Sequence, residues 1–260
     1  MKFAGKIATV FGASSEGGTG WAIAEVLAGH GAHVVVSARS MPGLERLAER
    51  IGGTAVRCDV AVEEDVAAKA AFIKERFGHL DIVIVSAGQP VASSVIDSPF
   101  EDLLRATAIN YFGPFFAIKH MVPLLRAEGS VTVISSLAST NPIEGQVAYG
   151  AAKAATNALV QYAAIELGPK GFRVNAVVPG SIETPLLTQF LATAPEIRDT
   201  YIKEIPSRRY ATALDIANAA VWMASPECFA NGTLLHVDGG NYLTRQPYLS
   251  ELPEGIMSKL

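Results

Sequence analysis

Short apolar segments alternate along the chain with longer segments in which hydrophobic residues recur at helical spacing. Rich in β-branched residues, the apolar segments predict strands at 6–11, 34–37, 54–58, 80–86, 131–136, 172–178 and 233–237. The periodic segments predict helices at 21–31, 43–51, 63–77, 100–125, from 149 towards Pro169, around 185–205 and at 214–223. Because the strands are apolar almost throughout, we expect a parallel sheet covered by helices on both faces, the doubly wound α/β class.

A single domain accounts for the whole sequence. A chain of 260 residues can bury one large core, and half of these residues are hydrophobic. We find no internal repeat, low-complexity linker or composition change that marks a boundary. The sequence therefore predicts one Rossmann-type domain over residues 1–260.

Charge and cysteine content exclude several classes of protein. The net charge is −4 and the charged residues are scattered, so no basic stripe suits a nucleic acid. No apolar run approaches the roughly 20 residues that span a membrane, and the N-terminus lacks a signal-peptide pattern, which favours a cytoplasmic protein. Cys58 and Cys228 lie far apart without ligand-type neighbours, so we expect buried thiols rather than a disulfide or a metal site.

Three polar side chains surround the turn between the fifth predicted strand and the following helix. Tyr149 and Lys153 are one helical turn apart and share a face of the helix, and Ser136 at the end of the strand can lie opposite them. A nearby ammonium favours a phenolate, so Lys153 is expected to lower the pKa of Tyr149. With Ser136 holding a substrate oxygen, the phenol could exchange a proton as hydride moves at the neighbouring carbon.

A tyrosine and a lysine at this spacing also occur by chance. The chain has 7 tyrosines, and such a pair would arise from composition alone in about one sequence in four. The alternative is an amphipathic helix with a surface lysine. The surrounding motifs decide between these two interpretations.

The first predicted strand runs directly into a glycine-rich turn, Gly12-Ala-Ser-Ser-Glu-Gly-Gly-Thr-Gly20, and then into a helix. Such a turn lets the backbone approach a pyrophosphate, whose charge meets the free N–H groups of the helix; a flexible surface loop is the alternative. The second strand ends without the carboxylate that NAD sites place there. Arg39 offers a guanidinium to the extra phosphate of NADP instead, or is a solvated surface residue.

Together these residues resemble the classical short-chain dehydrogenase/reductase family from about Lys6 to Tyr242. The motifs that carry the likeness are the glycine turn, Asp59-Val60, Ala87-Gly88, Asn110, Ser136 with Tyr149 and Lys153, Pro179-Gly180-Ser-Ile182-Glu-Thr184, and Val237-Asp238-Gly239-Gly240. The resemblance implies cofactor contacts at Gly12, Ser14, Ser15, Gly18, Thr19, Gly20, Arg39, Asp59, Val60, Ala87, Gly88, Tyr149, Lys153, Pro179, Gly180, Ile182 and Thr184.

The resemblance also implies a role for each catalytic residue. Tyr149 would be the acid/base, and Lys153 would hold the nicotinamide ribose and lower the tyrosine pKa. Ser136 would position the substrate oxygen, and Asn110 would support a proton relay. Apart from the resemblance, Asn110 could simply kink a helix and Thr184 could be a turn residue. NADP is the expected cofactor, with NAD as the alternative.

Three features depart from the family pattern. The glycine turn is longer by Glu16 and Gly17, Phe11 replaces a threonine, and Val85-Ser86 stands where the family has two asparagines. A longer turn resembles the divergent enoyl reductases, whose tyrosine and lysine are more widely separated. Position 156 here is threonine, so the Tyr149 and Lys153 pair favours carbonyl and alcohol chemistry.

Residues 185–206 correspond to the segment that covers the substrate in this family. Its apolar side chains predict a lid over an apolar substrate, although packing on the sheet explains them equally well. Gln146, Leu187 and Phe190 are the candidate substrate contacts. The tail, residues 241–260, is expected to cover the pocket or a neighbouring subunit, because the family forms tetramers or dimers.

Three functions are compatible with these residues. The first is an NADP-dependent oxidoreductase that interconverts a ketone and a secondary alcohol. The second is a reductase of an activated C=C bond. The third is a nucleotide-sensing protein without catalysis, because a fold alone does not fix function. The joint presence of Ser136, Tyr149 and Lys153 favours an enzyme.

Overall fold

A computed structural model of the chain describes residues 2–184, 187–188, 191 and 195–252. The strands are β1 Ile7–Phe11, β2 His33–Ala38, β3 Thr54–Arg57, β4 Leu80–Val85, β5 Leu125–Ile134, β6 Arg173–Pro179, β7 Ile182–Glu183, β8 Ala211–Thr212 and β9 Leu234–Val237. The α-helices are α1 Thr19–Gly29, α2 Met41–Ile51, α3 Glu63–Phe77, α4 Phe100–Thr107, α5 Gly113–Met121, α6 Val147–Leu167, α7 Pro195–Ile202 and α8 Ala213–Ala224.

The main sheet has seven strands in the order β3-β2-β1-β4-β5-β6-β9, and every neighbouring pair is parallel. The predicted doubly wound parallel sheet is thereby confirmed. Strand order reverses between β1 and β4, which opens a crevice at the carboxyl ends of these strands. Ligands bind at such crevices in open parallel sheets.

Two apolar layers cover the sheet. Ile23 and Leu27 of α1, with Leu44 of α2, belong to the cluster on one face, to which α8 also contributes. Val66 and Ile73 of α3 belong to the cluster on the other face, together with residues of α5 and α6. Burial of each such side chain contributes about 1.5–3 kcal/mol, which explains why the strands are apolar on both sides.

The helical region predicted over 100–125 is confirmed, but it is not one regular α-helix. The chain forms α4, a π-helical turn at Ala108–Phe112, α5 and a 3₁₀ turn, and then enters β5 at Leu125. The Asn110 side-chain amide donates to the carbonyl oxygen of Ala106 at 2.9 Å and to that of Gln89, at the same distance. Periodicity alone could not predict this widened turn, because its second partner is distant in sequence.

The predicted lid is partly outside the described residues. Within it, α7 accounts for the helical prediction, and Leu191, Ile197 and Ile205 form a small apolar cluster with Tyr210, apart from the main core. The tail is described to residue 252 and packs Leu252 against the same cluster. A lid function therefore stays a prediction.

Cys58 and Cys228 are both buried and both free. Among the described residues, no helix is long and apolar enough to cross a membrane.

Candidate active site

The structure brings Ser136, Tyr149 and Lys153 together at the carboxyl end of β5. Ser136 follows the strand, and its hydroxyl lies beside the partly buried Tyr149 phenol. Lys153 is only 2% exposed, and its Nζ donates to the carbonyl oxygen of Ile134 at 2.9 Å. The same Nζ lies 5.8 Å from the centroid of the Tyr149 ring. Since Lys153 is anchored inside the crevice, a solvated surface lysine is the wrong interpretation of this residue.

Burial dominates the titration of this cluster. In the chain by itself, burial raises the pKa of the Tyr149 phenol, and the hydrogen bond with Ser136 lowers it by less. Burial also lowers the pKa of Lys153 to about 8. In the chain by itself, the low polarity around the phenol therefore outweighs the effects that favour its ionisation, and the lowering of the tyrosine pKa by Lys153 stays a prediction.

A hydrogen-bond network that the sequence analysis missed fixes the loop carrying Ser136. The Ser135 hydroxyl donates to Asn157 Oδ1 at 2.6 Å, and Asn157 Nδ2 donates to Ser139 Oγ at 2.8 Å. Ser139 Oγ in turn donates to the carbonyl oxygen of Ser136 at 2.6 Å. Asn157 lies one helical turn beyond Lys153 on α6, so its position on the same helical face could have indicated this role.

Asn110 and Gly88 border the lysine. Asn110 is fully buried, and its Oδ1 accepts the backbone N–H of Gln89 at 3.1 Å. A Cβ added to Gly88 would lie 3.0 Å from Lys153 Nζ and 3.1 Å from Asn110 Oδ1. A side chain at position 88 would therefore displace both groups. The carbonyl oxygen of Asn110 accepts the Thr156 hydroxyl, which fixes the π-helical turn on α6.

The glycine turn between β1 and α1 leaves helix amides open to a ligand. Gly18 is the N-cap residue, no side chain caps the helix, and its first turn, which begins at Thr19, carries no acidic residue. The Ser15 carbonyl closes the turn by accepting the Gly18 N–H at 2.9 Å. Glu16 is exposed to solvent. The free N–H groups and the positive end of the helix dipole therefore fit a pyrophosphate.

Close packing holds the same turn against its neighbours. Gly12 has a positive φ of 82°, and a Cβ there would lie 2.6 Å from the Ala87 backbone. A Cβ on Gly20 would lie 2.2 Å from the Gly12 carbonyl oxygen, and one on Gly43 of α2 would approach Ser14 equally closely. These glycines let the phosphate turn, α2 and the segment after β4 meet at the mouth of the crevice.

The predicted cofactor contacts Arg39, Asp59 and Val60 lie just beyond the ends of β2 and β3. Arg39 is exposed and makes no ion pair or hydrogen bond within the described part of the chain. Asp59 accepts the Ala61 N–H at 3.0 Å with one carboxylate oxygen. Val60 is buried, and a Cβ on Gly113 of α5 would lie 2.9 Å from it. The free guanidinium therefore fits an additional phosphate group.

The segment after β6 lies beside the end of β9. Pro179 pairs with Val237 in the sheet, and Ile182 pairs with Ala211 of β8. A Cβ on Gly180 would lie 3.0 Å from Asp238. Thr184 Oγ1 accepts the Leu187 N–H at 3.3 Å, so its hydroxyl oxygen is hydrogen-bonded to the backbone of the segment that follows.

The candidate substrate contacts divide into three cases. Gln146 is the N-cap residue of α6, and a bridge pairs it with Ser93 in the segment between β4 and α4. Leu187 packs partly buried against the small lid cluster, apart from the main core. Phe190 lies outside the described residues. Gln146 is therefore the described candidate nearest in sequence to the Tyr149 phenol.

The described tail connects the lid region to the loop that precedes α6. Arg245 forms a bidentate ion pair with Glu251, with N–O distances of 2.5 and 2.8 Å, and lies 3.1 Å from Glu204 beyond α7. At its other end, the Leu249 N–H donates to the Glu144 carboxylate at 2.5 Å. The tail thus connects the segment after α7 with the loop that precedes α6.

The chain matches a family model described as "Enoyl-(Acyl carrier protein) reductase" over residues 12–241. It is 34% identical over 248 residues to a 7alpha-hydroxysteroid dehydrogenase of Escherichia coli, covering 92% of this chain and 95% of that protein. It is also 34% identical to a 2-(R)-hydroxypropyl-CoM dehydrogenase of Xanthobacter autotrophicus, covering 90% and 97% of the two chains.

The fold of the chain is similar to that of solved structures as well. A short-chain type dehydrogenase/reductase from Mycobacterium ulcerans superposes with a TM-score of 0.88 at 28% identity, covering 96% of this chain and 94% of that one. A dehydrogenase/reductase from Sinorhizobium meliloti gives a TM-score of 0.81 at 31% identity, covering 92% and 95%. Both the sequence and the backbone are therefore similar over almost their whole length.

Proposed function

The chain belongs to the short-chain dehydrogenase/reductase family, and on that premise we propose that it interconverts an apolar ketone and a secondary alcohol with NADP. The observation that carries this proposal is the placement of the Tyr149 phenol beside the Ser136 hydroxyl and the buried ammonium of Lys153. Relatives with dehydrogenase names support the reaction class.

Each polar side chain of the candidate site would have a separate role in the reaction. The cofactor, when bound, supplies or accepts the hydride. Ser136 would hold the substrate oxygen within reach of the Tyr149 side chain, which would donate its proton to a ketone as the phenol or accept one from an alcohol as the phenolate. Lys153, held by the Ile134 carbonyl, would keep a positive charge near the phenol, and Asn110 would support a proton relay beside Gly88.

Arg39 supports the choice of NADP, and the phosphate turn supports a dinucleotide of either kind. The free guanidinium stands at the end of β2, where a carboxylate would repel a phosphate, and the uncapped amides of α1 would bind the pyrophosphate. Asp59 and Val60 would contact the adenine, and Ile182 with Thr184 would hold the carboxamide.

Reduction of an activated C=C bond is the second candidate. The enoyl-reductase description of the matching family model and the lengthened turn at Glu16 and Gly17 favour it. The tyrosine and lysine spacing favours carbonyl chemistry. Assays with a saturated ketone and with an unsaturated ester that lacks a ketone separate the two reactions.

We further propose that the protein forms a homo-oligomer. Phe112, Phe115 and Ile165 expose apolar side chains on the outer surface formed by the π-helical turn, α5 and α6. An apolar surface of this kind favours contact with a second copy. Light scattering after size exclusion measures the mass, and a monomer would contradict the proposal. A cytoplasmic location stays a prediction from the sequence.

The Tyr149→Phe variant tests the proton donor. We expect turnover of a ketone to fall by about 10²–10⁴-fold while NADPH still binds, because the variant removes only the hydroxyl group that exchanges the proton. Tyr162→Phe, on the exposed face of the same helix, is the control and should retain turnover. Undiminished turnover in Tyr149→Phe would remove this residue from the mechanism.

The Arg39→Asp variant tests the cofactor preference. The new carboxylate should weaken NADPH binding far more than NADH binding, because it repels the additional phosphate. Arg46→Asp, on the exposed side of α2, controls for the general change in charge. Equal effects on both cofactors in a fluorescence titration would place the phosphate elsewhere.

A further inference from the structure

Lys69 is a buried lysine outside the catalytic cluster. It lies on the sheet side of α3 and is 1% exposed. Its ammonium reaches the carboxyl ends of β1 and β2, where Phe11 and Ser37 are located. Cys58, at the end of β3, also faces it. Lys69 therefore lies below the adenosine side of the crevice.

The contacts of this ammonium are neutral. Lys69 Nζ donates to the Ser37 hydroxyl at 2.5 Å and lies 3.5 Å from the centroid of the Phe11 ring. Within the described part of the chain, no carboxylate forms an ion pair with it. Phe11 is one of the departures from the family pattern, and its ring supplies a cation–π contact here. A methionine would fill the same space without an unpaired charge.

Charged groups around Lys69 do not neutralise it. The Cys58 thiol faces it from β3, and burial raises the pKa of this thiol to about 11, so it is uncharged at neutral pH. Asp65, one turn earlier on α3, interacts with Arg57 at 3.6 Å. Asp59 donates its N–H to Asp65 and uses its own carboxylate for Ala61.

The element packed against the other side of α3 contributes no free charge near Lys69. Lys119 and His120 of α5 are both directed to Glu63, at the beginning of α3, at 2.6 and 2.9 Å. Burial accordingly controls the titration of Lys69 and lowers its pKa to about 7. Isolated charges in a protein interior are costly unless a partner arrives.

Ser37 connects this ammonium to the phosphate turn. Its hydroxyl accepts from Lys69, and its carbonyl oxygen accepts the N–H groups of Gly12 at 2.7 Å and Ala13 at 3.3 Å. Arg39 follows it by two residues. Ser37 therefore lies between the Lys69 ammonium and the phosphate turn. An anion bound at this turn and at Arg39 would lie on the side of the sheet that carries the unpaired charge of Lys69.

We propose that Lys69 is a specificity-determining residue whose buried charge favours the phosphorylated adenosine end of the cofactor and takes up a proton when that end binds. This inference rests on the proposed NADP-dependent function and deepens it. The phosphates stabilise the ammonium, and by reciprocity the ammonium strengthens phosphate binding. The affinity for the phosphorylated adenosine should fall as the pH rises above neutrality, because the neutral Lys69 amine must then take up a proton before it attracts the phosphates.

The experiment is titration calorimetry with adenosine 2′,5′-bisphosphate. This probe carries the adenosine phosphates but no nicotinamide ribose, so the predicted ribose contact of Lys153 is avoided. At pH 8 we expect uptake of a fraction of a proton per site, obtained from the dependence of the binding enthalpy on the ionisation enthalpy of the buffer. We expect Lys69→Met to lose this uptake and to bind about three- to tenfold more weakly at pH 7.

Lys74→Met is the matched control, because it removes the same charge from the exposed side of α3. It should keep both the affinity and the proton uptake. Equal affinity and equal uptake in wild type and Lys69→Met would overturn the inference while the proposed function stands. Should Lys69→Met fail to fold, the absence of proton uptake by wild type at pH 8 would overturn it equally well. Binding of NADH without binding of the bisphosphate would overturn both proposals.

Discussion

Replacing Lys153 with methionine should stabilise the protein while abolishing its turnover. Burial lowers the pKa of this lysine from 10.5 to about 8. A difference of this size corresponds to about 3 kcal/mol of destabilisation at neutral pH, where the unfolded lysine is fully charged at no cost. Methionine has a similar length and carries no charge, but it leaves the Ile134 carbonyl without its donor, which costs about 1 kcal/mol. We therefore expect a net gain of about 2 kcal/mol.

The pH dependence gives this prediction its sign. The folded state binds the lysine proton more weakly than the unfolded state, so the destabilisation is fully present below the folded pKa and disappears as the pH rises towards the unfolded value. The advantage of Lys153→Met should accordingly shrink by about 1 kcal/mol between pH 7 and pH 9. The other titratable groups contribute equally to the unfolding free energies of wild type and Lys153→Met, so their contributions cancel in the difference between the two proteins.

Urea denaturation followed by circular dichroism, without added cofactor, measures both quantities. Lys74→Met serves as the control for loss of a lysine and should change the unfolding free energy by less than about 0.5 kcal/mol. A Lys153→Met protein that is less stable than wild type at pH 7 would refute the reasoning. So would a stability difference that does not change with pH. A Lys153→Met protein that is more stable but inactive would show that the Lys153 ammonium destabilises the fold and is required for turnover.

Three further predictions concern the phosphate turn, the sheet and the tail. Gly20→Ala should weaken NADPH binding at least about tenfold in a fluorescence titration, because a Cβ 2.2 Å from the Gly12 carbonyl outweighs the roughly 1 kcal/mol by which alanine favours a helix. Asp81→Asn should lower the unfolding free energy at pH 7 by about 1–3 kcal/mol. Burial opposes ionisation of Asp81, but hydrogen bonds lower the pKa of its carboxyl overall, so the difference in urea midpoints should shrink as the pH falls through the folded pKa. Arg245→Gln should raise the KM for an apolar ketone more than it lowers kcat, because it releases the Glu251 ion pair of the tail, and an unchanged KM would contradict this.

The sequence determined the class of fold and the members of the candidate site. The order of strands and helices follows from local periodicity, which a parallel sheet buried on both faces enforces strand by strand. The common face of Tyr149 and Lys153 follows from helix geometry, which needs no distant partner. The seven-stranded parallel sheet agrees with the predicted order of strands and helices. Tyr149 and Lys153 share one face of α6 and lie beside Ser136 at the crevice.

Only the tertiary structure decided the features that depend on distant partners. The π-helical turn at Asn110 forms because its amide bonds with Gln89, far away in sequence, and the tail is fixed by Glu204 and Glu144. The direction of the Tyr149 pKa and the unpaired charge of Lys69 depend on how completely each group is removed from water. Burial is the sum of contacts from many segments, so no local pattern of residues contains it.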